Sequence, residues 1–328
     1  MFCMVLVLTE SDVSKVITMR DVVNIIENTF REYFLGRYVM PPRMRVLVPG
    51  MKGDLRIMPA ALLESHAVGF KVISGSAGAR NPSLTYFFIA LYDPTEGNLL
   101  AIISGDTITR LRTGAASAVA TKYLARRDSS VVGVYGSGVQ ARAQLEALST
   151  VMSIRRALVY DVIRDKAVSF ANDMSKKLGI DVHVVQEPKD ASNADVIVTA
   201  TTSTTPFLIP GWIKPGTHIN AIGANSPSKS EVAPELFKIA KVVVDFKEQV
   251  LNEAGDLINA IKAGVITPND IYAELGEIVG GAKRGRENDN EITLFKSVGV
   301  AIEDVAVANE VYKRAKELGI GREIDLTA

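Results

Sequence analysis

The sequence predicts an α/β protein with two parts, a doubly wound parallel sheet in the C-terminal half and a β-rich α+β domain before it. From residue 130 onward, short apolar runs alternate with helical stretches, which is typical of a parallel sheet covered by helices. Between residues 43 and 92, apolar runs follow one another without long helices, which favours a mostly antiparallel sheet. The length of 328 residues leaves room for two domains.

In the first half, Thr18 and Asp21 form the pattern of a capping box before apolar residues at helical spacing, which predicts a helix. A small-residue stretch from Thr113 predicts the start of another helix, which ends near Ala125. Apolar runs bounded by turn residues predict strands at 44–48, 55–58, 68–73, 86–92 and 99–104.

In the second half, six apolar runs predict parallel strands, with helices in the gaps between them. These strands are expected at 131–135, 157–160, 182–185, 195–200, 218–222 and 242–245. Helices are expected at 249–262 and at about 300–318, and the latter could pack back on the first domain. The predicted domains are therefore 1–125 with 303–328, which makes the first one discontinuous, and 126–302.

The first of the six strands leads into a dinucleotide-binding motif of the Rossmann type. Gly136-Ser137-Gly138-Val139-Gln140-Ala141 matches G-x-G-x-x-A between a strand and an alanine-rich helix. In this motif the first glycine makes the turn, the second lets a pyrophosphate approach, and the small third residue allows close packing. Asp161 ends the next strand, where a ribose-binding carboxylate is expected. The alternative is a strand, turn and helix whose glycines serve packing alone.

Charge and cysteine content narrow the function classes. Lys plus Arg and Asp plus Glu both total 37, so no overall field favours nucleic acid or a membrane, and a small ligand is the expected partner. Cys3 is the single cysteine, which favours a reducing, cytoplasmic setting. The three histidines lie far apart without ligand spacing, so no metal is expected.

Four isolated basic residues of the first half, Arg43, Arg56, Lys71 and Arg112, are candidates for chemistry, although each taken alone is an ordinary surface charge. Arg112 directly precedes Thr113 and the predicted helix start, whose free N–H groups and dipole favour an anion such as a carboxylate. Lys71 lies inside an apolar run. If Lys71 shares a site with arginines, its pKa is lowered and its amine can exchange protons near neutrality.

Small polar residues follow two strands of the second half, at the edge where a cofactor crevice is expected. A third segment, Ser297 to Gly299, precedes the last helix and could present backbone groups to a nicotinamide. Loop chemistry or helix capping is the alternative for each. The cofactor candidates in these segments are Thr201, Thr202, Ser203, Ala221, Gly223 and Gly299.

Several segments of this sequence together resemble the ornithine cyclodeaminase and mu-crystallin family, and most of all its archaeal alanine dehydrogenase-like branch. The resemblance implies a homodimer with a domain for substrate binding and dimerisation and a Rossmann domain for NAD. The segments that carry it are Met58-Pro59-Ala60, Gly69-Phe70-Lys71, Arg112 to Ser117, Gly136 to Gln144, Gly216 to Gly223 and Gly299 to Ala306.

The resemblance also implies roles at the substrate. Arg43, Arg56 and Arg112 would bind the substrate carboxylate, and Lys71 would act as acid and base. Where the resembled members carry an aspartate, this chain has Asn225, which cannot accept a proton at physiological pH and can only orient an amine or a water.

For the cofactor, the resemblance implies that Thr113 and the loop at Gly136 hold the pyrophosphate. Asp161 would favour NAD, because a 2′-phosphate would meet its negative charge. Arg164, three residues further on, could accommodate that phosphate, so NADP stays an alternative.

The leading hypothesis is an NAD(P)-dependent oxidoreductase that acts on the C–N bond of a small L-amino acid or on the matching oxo acid or imine, as alanine dehydrogenases and ketimine reductases do. One alternative is ornithine cyclodeaminase, in which NAD is reduced and reoxidised within one turnover. Asn225 weakens that alternative, because cyclisation needs repeated proton transfers whereas imine reduction needs one proton, which Lys71 could supply. The other alternative is an NAD(P)-dependent binding protein without turnover.

Overall fold

The computed structural model describes residues 4–47, 53–76 and 86–326, so Cys3 and Val48 lie outside the described residues. The strands are β1 (Met4–Leu8), β2 (Tyr38–Val39), β3 (Met44–Leu47), β4 (Gly53–Leu62), β5 (Ala67–Ser76), β6 (Tyr86–Tyr92), β7 (Leu99–Ser104), β8 (Val131–Tyr135), β9 (Arg156–Tyr160), β10 (Asp181–Val184), β11 (Val196–Thr199), β12 (His218–Ala221), β13 (Lys241–Val244), β14 (Ala273–Glu274), β15 (Thr293–Lys296) and β16 (Arg322–Asp325). The helices are α1 (Glu10–Val16), α2 (Met19–Phe34), α3 (Asp106–Leu124), α4 (Val139–Val151), α5 (Arg164–Leu178), α6 (Pro188–Ala191), α7 (Pro234–Ile239), α8 (Lys247–Glu253), α9 (Gly255–Lys262), α10 (Leu275–Val279) and α11 (Ala301–Leu318). The chain divides into two compact units, residues 1–112 with 300–328 and residues 113–299.

The first unit contains a mostly antiparallel sheet, as the sequence predicts. Its order is β16-β1-β7-β6-β5-β4-β2, with β3 paired to β4, and β1 and β7 run parallel. Helix α2 begins at the predicted capping box, in which Thr18 and Asp21 bond to each other's backbone N–H groups. The C-terminal helix α11 packs on β4, β5 and α2, so the last helix belongs to this unit.

The second unit is a parallel sheet with the order β10-β9-β8-β11-β12-β15-β13-β14. All six predicted strands are present, and the predicted fold class is confirmed. Both faces of the sheet are apolar, as expected for strands covered by helices. Val132, Val134, Leu145 and Phe170 lie in one buried cluster and Ile197, Ile219, Leu236 and Leu257 in another.

The order of the strands differs from the prediction at one end of the sheet. The neighbour of β12 is β15, which the sequence analysis does not predict, and β13 lies outside β15. The sequence of β15 is Thr-Leu-Phe-Lys, and it follows a charged stretch, so it does not look apolar. Its Lys296 is nevertheless fully buried, because a carboxylate pairs with it.

Two predicted helices also need correction. No α-helix joins β11 to β12, where a short 3-10 turn at Pro210–Trp212 lies among prolines that cannot donate backbone hydrogen bonds. The helix predicted at 249–262 is two helices, α8 and α9, separated at Ala254.

Helix α3 begins at Asp106, seven residues before the predicted start at Thr113. Its first N–H groups are capped from far away in the chain, since the carboxylate of Glu10 accepts from the backbone N–H groups of Asp106 and Thr107, both at 2.9 Å. Arg112 and Thr113 therefore lie inside the helix, where backbone N–H groups are already paired. The predicted anion site at a helix N-terminus beside Arg112 is wrong for this reason.

Candidate active site

The first unit contains a buried ionic cluster around Lys71, a side chain with no solvent exposure. Strand β5 carries Lys71, and α11 brings Asp304 to it, with 2.6 Å between Nζ and Oδ2. Arg112 in α3 donates from Nε to the other carboxylate oxygen of Asp304 at 3.0 Å and from a terminal nitrogen to Glu303 at 2.8 Å. One carboxylate thus joins the lysine and the arginine.

Burial gives Lys71 an unusual acidity. Desolvation lowers the pKa of its ammonium from an ordinary 10.5 to about 7, against the attraction of Asp304 and with added repulsion from Arg112 and Arg43. An amine with such a pKa is half protonated at neutral pH and can both donate and accept a proton. The acid and base role of Lys71 stays a prediction.

Two other predicted basic residues, Arg56 and Arg43, lie on the sheet face that carries Lys71 or close to Lys71. In the pairing of β4 with β5, Met58 stands opposite Lys71, and Arg56 lies two residues before Met58. Because side chains of a strand alternate, Arg56 and Lys71 share one face of the sheet. Arg43 directly precedes β3 and is close enough to repel the Lys71 ammonium. The four predicted basic residues are therefore brought towards one face, and their binding of a substrate carboxylate stays a prediction.

The two carboxylates of this cluster were missed in the sequence analysis. Glu303 and Asp304 are both fully buried in the first turn of α11. A signal was available, because two adjacent acids interrupt the apolar first half of α11, and buried carboxylates need partners. Nothing in the local sequence shows that Lys71 and Arg112 are those partners.

The second unit forms the predicted turn between β8 and α4. Gly136 has a φ of +93°, and a Cβ there would lie 2.6 Å from the carbonyl oxygen of Ala200, so only glycine fits. Gly138 is different, because a Cβ there would meet no atom within 4 Å. It is also the N-cap of α4 and forms no side-chain cap. The open helix N-terminus fits a pyrophosphate. Ser137, Val139 and Gln140 lie in the same turn, with Val139 exposed.

Asp161 follows β9 and is held in place by its neighbours. Its carboxylate accepts from Ser137 Oγ at 2.6 Å and from the N–H of Ile163 at 2.9 Å. It is partly exposed, so it retains surface for the hydroxyls of a ribose. Arg164 is exposed and donates to Gln186.

The remaining cofactor candidates lie in loops, at a strand end or inside a helix of the second unit. Thr113 is buried in α3, where its carbonyl accepts from Gln144 of α4. Thr202 is exposed, while the hydroxyl of Ser203 donates to a loop carbonyl. Ala221 ends β12, and Asn225 is exposed and accepts from Lys229. The N–H groups of Thr201 and Gly223 donate to Glu231, and that of Gly299 donates to Asp245. Cofactor contacts at these positions stay predictions.

Two general properties concern the described residues only. None of their helices combines the length and the apolar content needed to cross a membrane. They also contain no group of three or more His, Cys, Asp or Glu side chains arranged to hold a metal ion.

The Rossmann turn and the parallel sheet define a dinucleotide-binding protein with an added sheet-based unit. The chain belongs to the ornithine cyclodeaminase/mu-crystallin family, whose model matches residues 4–319. The family resemblance seen in the sequence is thereby confirmed.

Relatives named alanine dehydrogenase and relatives named Delta(1)-pyrroline-2-carboxylate reductase both match over nearly the whole chain. "Alanine dehydrogenase" of Archaeoglobus fulgidus is 43% identical, covering 97% of this chain and 98% of its own. "Delta(1)-pyrroline-2-carboxylate reductase" of Bacillus cereus is 36% identical, covering 98% and 99%. The solved structure of the Thermococcus litoralis Delta(1)-pyrroline-2-carboxylate reductase, in complex with NADH and L-proline, is 45% identical with a TM-score of 0.94, covering 97% and 100%. An archaeal alanine dehydrogenase dimer with bound NAD is 41% identical with a TM-score of 0.93, covering 98% and 99%.

Proposed function

We propose that this chain is an NAD(P)-dependent oxidoreductase of the C–N bond, and that its preferred reaction is the reduction of a preformed imine next to a carboxylate. The observation that carries the proposal is the buried Lys71, 2.6 Å from Asp304, with a pKa of about 7. Relatives named alanine dehydrogenase and Delta(1)-pyrroline-2-carboxylate reductase support the class of reaction.

Lys71 supplies the proton in this proposal. Reduction of an imine needs one proton on nitrogen for each hydride that reaches carbon. Since about half of a group with a pKa near 7 is protonated at neutral pH, Lys71 can give that proton. Asp304 holds the ammonium in place, and Arg112 holds Asp304 by its second oxygen.

The charge of the cluster favours an anionic substrate. The basic residues Arg43, Arg56, Lys71 and Arg112 outnumber the two carboxylates of Glu303 and Asp304, four to two. The excess positive charge suits a substrate carboxylate, which an arginine binds through paired hydrogen bonds. In this proposal Arg43, Arg56 and Arg112 make that contact, and Arg112 also pairs with the two acids.

The cofactor is NAD in this proposal, and it supplies the hydride when bound. The open turn at Gly138 would receive its pyrophosphate, and Asp161 its adenine ribose. The carboxylate of Asp161 disfavours the 2′-phosphate of NADP. Bound NAD or NADH in related structures supports this assignment.

Asn225 favours a preformed imine over the alternatives. Building an imine from an oxo acid and ammonia, or cyclising ornithine, requires several proton transfers at nitrogen and oxygen. An asparagine accepts none of these protons and can only orient the nitrogen by a hydrogen bond. A cyclic imine such as Delta(1)-pyrroline-2-carboxylate arrives already formed, so one proton from Lys71 is enough.

We also propose a homodimer, formed through the sheet face of the first unit opposite Lys71. Met44, Val46, Leu55 and Phe88 lie on that face and are between 37% and 58% exposed. A sheet face with this many exposed apolar side chains is typical of a surface that another chain covers. The dimer described for the archaeal alanine dehydrogenase supports a second copy as the occupant.

Parallel assays with NADH test the proposed reaction. Delta(1)-pyrroline-2-carboxylate should be reduced with a higher kcat/KM than pyruvate with ammonium, and ornithine should release no ammonia in the presence of catalytic NAD. Ammonia and proline formed from ornithine without net NADH would replace the proposal by a cyclodeaminase. Tight NADH binding without turnover of any imine would replace it by a binding protein.

A further inference from the structure

The second unit contains a buried charged network that the proposed reaction does not use. Glu231, Asp256 and Lys296 are each fully buried. Lys296 donates from Nζ to Asp256 Oδ2 at 3.1 Å. The other oxygen of Asp256 accepts from the backbone N–H groups of Glu231 and Val232, at 2.5 and 3.2 Å. Burying three ionisable groups is costly, and apolar residues of similar size often stabilise a fold as well or better.

The Glu231 carboxylate joins the ends of two strands. Thr199, the last residue of β11, donates its hydroxyl to Oε2 at 2.8 Å, and Thr201 donates its N–H to Oε1 at 2.6 Å. Gly223, which follows β12, donates its N–H to Oε2 at 2.8 Å. A single side chain thus fixes both loops at the carboxyl edge of the sheet.

The backbone packs closely around this carboxylate. A Cβ at Gly223 would lie 2.4 Å from Glu231 Oε1 and 2.4 Å from the carbonyl oxygen of Thr201. A Cβ at Gly255 would lie 2.0 Å from the carbonyl oxygen of Lys229. Residues 223–231 therefore pack tightly between the loop after β11 and the start of α9, which carries Asp256.

The position of the loops after β11 and β12 indicates which half of a dinucleotide they face. In a doubly wound sheet the dinucleotide lies along the carboxyl edge, with one half on each side of the point where the strand order reverses. Here that point lies between β8 and β11, and Asp161 after β9 marks the adenine side. The loops after β11 and β12 therefore face the nicotinamide half.

We propose that Glu231 is a positioning residue that holds the loops after β11 and β12 in the conformation that receives the nicotinamide half of the cofactor. This inference rests on the cofactor of the proposed function but not on its substrate. The carboxylate is suited to the role because both its oxygens accept from backbone N–H groups. Glutamine in its place would direct an amide N–H at Thr201 or Gly223, where a donor already points.

Binding of NADH and of AMP to Glu231→Gln tests the inference, measured by fluorescence and calorimetry. AMP carries only the adenine half. The variant should bind NADH at least about tenfold more weakly, the effect of a lost charged hydrogen bond, and AMP within about twofold of the wild type. Thr199→Val removes one donor to Glu231 and should show a smaller loss in the same sense, which keeps the test open if Glu231→Gln does not fold.

Asp195→Asn is the matched control. Asp195 also accepts from two backbone N–H groups, those of Ser130 and Val131, and binds Arg126, but at the amino edge of the sheet. This variant should lose stability and keep the ratio of NADH to AMP affinity. Equal losses of NADH and AMP binding in the Glu231 variant, or no loss of NADH binding, would overturn the inference.

The same measurements separate this inference from the proposed function. A wild-type protein that binds NADH but reduces no imine would contradict the proposed function alone, since the Glu231 comparison needs no substrate. Wild-type protein that binds no NADH would overturn both.

Discussion

Replacing Asp304 by asparagine should move the pH dependence of imine reduction towards acid. The substitution keeps the shape of the side chain and removes the negative charge 2.6 Å from the Lys71 ammonium. At that separation and an effective dielectric constant of about 20, the lost attraction is about 6 kcal/mol before reorganisation. If only a quarter of this energy remains after reorganisation, the pKa of Lys71 falls by about one unit, since one unit is about 1.4 kcal/mol.

The sign and size of the effect follow from protonation. Lys71 with a pKa of about 7 is about half protonated at pH 7, and a fall of one unit leaves about a tenth protonated. Because imine reduction uses the protonated form, the rate at pH 7 should fall about fivefold. The deficit should shrink as the pH is lowered, where both proteins are fully protonated.

The assay is kcat/KM for a cyclic imine carboxylate, followed by loss of NADH absorbance across the neutral range. Glu303→Gln is the matched control, because Glu303 is the adjacent, equally buried acid and pairs with Arg112. In this control, the pH at which kcat/KM begins to fall should stay near that of the wild type. If that pH does not change in Asp304→Asn, or changes equally in the two variants, the assignment of Lys71 as the acid is refuted.

Three further substitutions test other parts of the molecule. Lys71→Met should lower imine reduction by about 10² to 10⁴ while leaving NADH binding, measured by fluorescence, unchanged. Asp161→Ser should raise the ratio of kcat/KM for NADPH to that for NADH by on the order of tenfold, because the charge that opposes the 2′-phosphate is gone; an unchanged ratio would argue against Asp161 at the ribose. Glu10→Gln should lower the free energy of unfolding by about 1–2 kcal/mol in urea at neutral pH, because it weakens the cap of α3. Burial raises the pKa of Glu10, but hydrogen bonds from Ser104, Thr107 and Asp106 outweigh it and lower the pKa overall. That stabilisation is therefore present above the unfolded pKa and lost as the pH falls through the folded one, so the difference between variant and wild type should disappear in acid.

Features set by neighbouring residues were predicted from the sequence. The G-x-G-x-x-A turn, the six apolar strands before residue 246 and the capping box at Thr18 each depend on residues a few positions apart. The family resemblance depends on such phrases in order, and it is confirmed over residues 4–319. Local patterns of this kind determine turns, helix starts and the alternation of strands and helices.

Features set by distant partners required the tertiary structure. Glu10 caps a helix that begins 96 residues further along the chain, so α3 starts before Arg112 and no helix N-terminus lies beside that residue. Asp304 reaches Arg112 across 192 residues, and the same carboxylate gives Lys71 its partner. Strand β15 looked polar because the partner that neutralises Lys296, Asp256, lies 40 residues earlier.

The sequence by itself therefore determined that this is a two-part, dinucleotide-binding member of its family, with a lysine inside an apolar strand. Only the tertiary structure decided which carboxylate holds that lysine and which carboxylate fixes the loops after β11 and β12. The physical reason is that a buried charge is stabilised by whichever group of opposite charge or hydrogen-bonding donor the fold brings to it. Such pairings leave no periodic signal in the chain, whereas turns and apolar runs do.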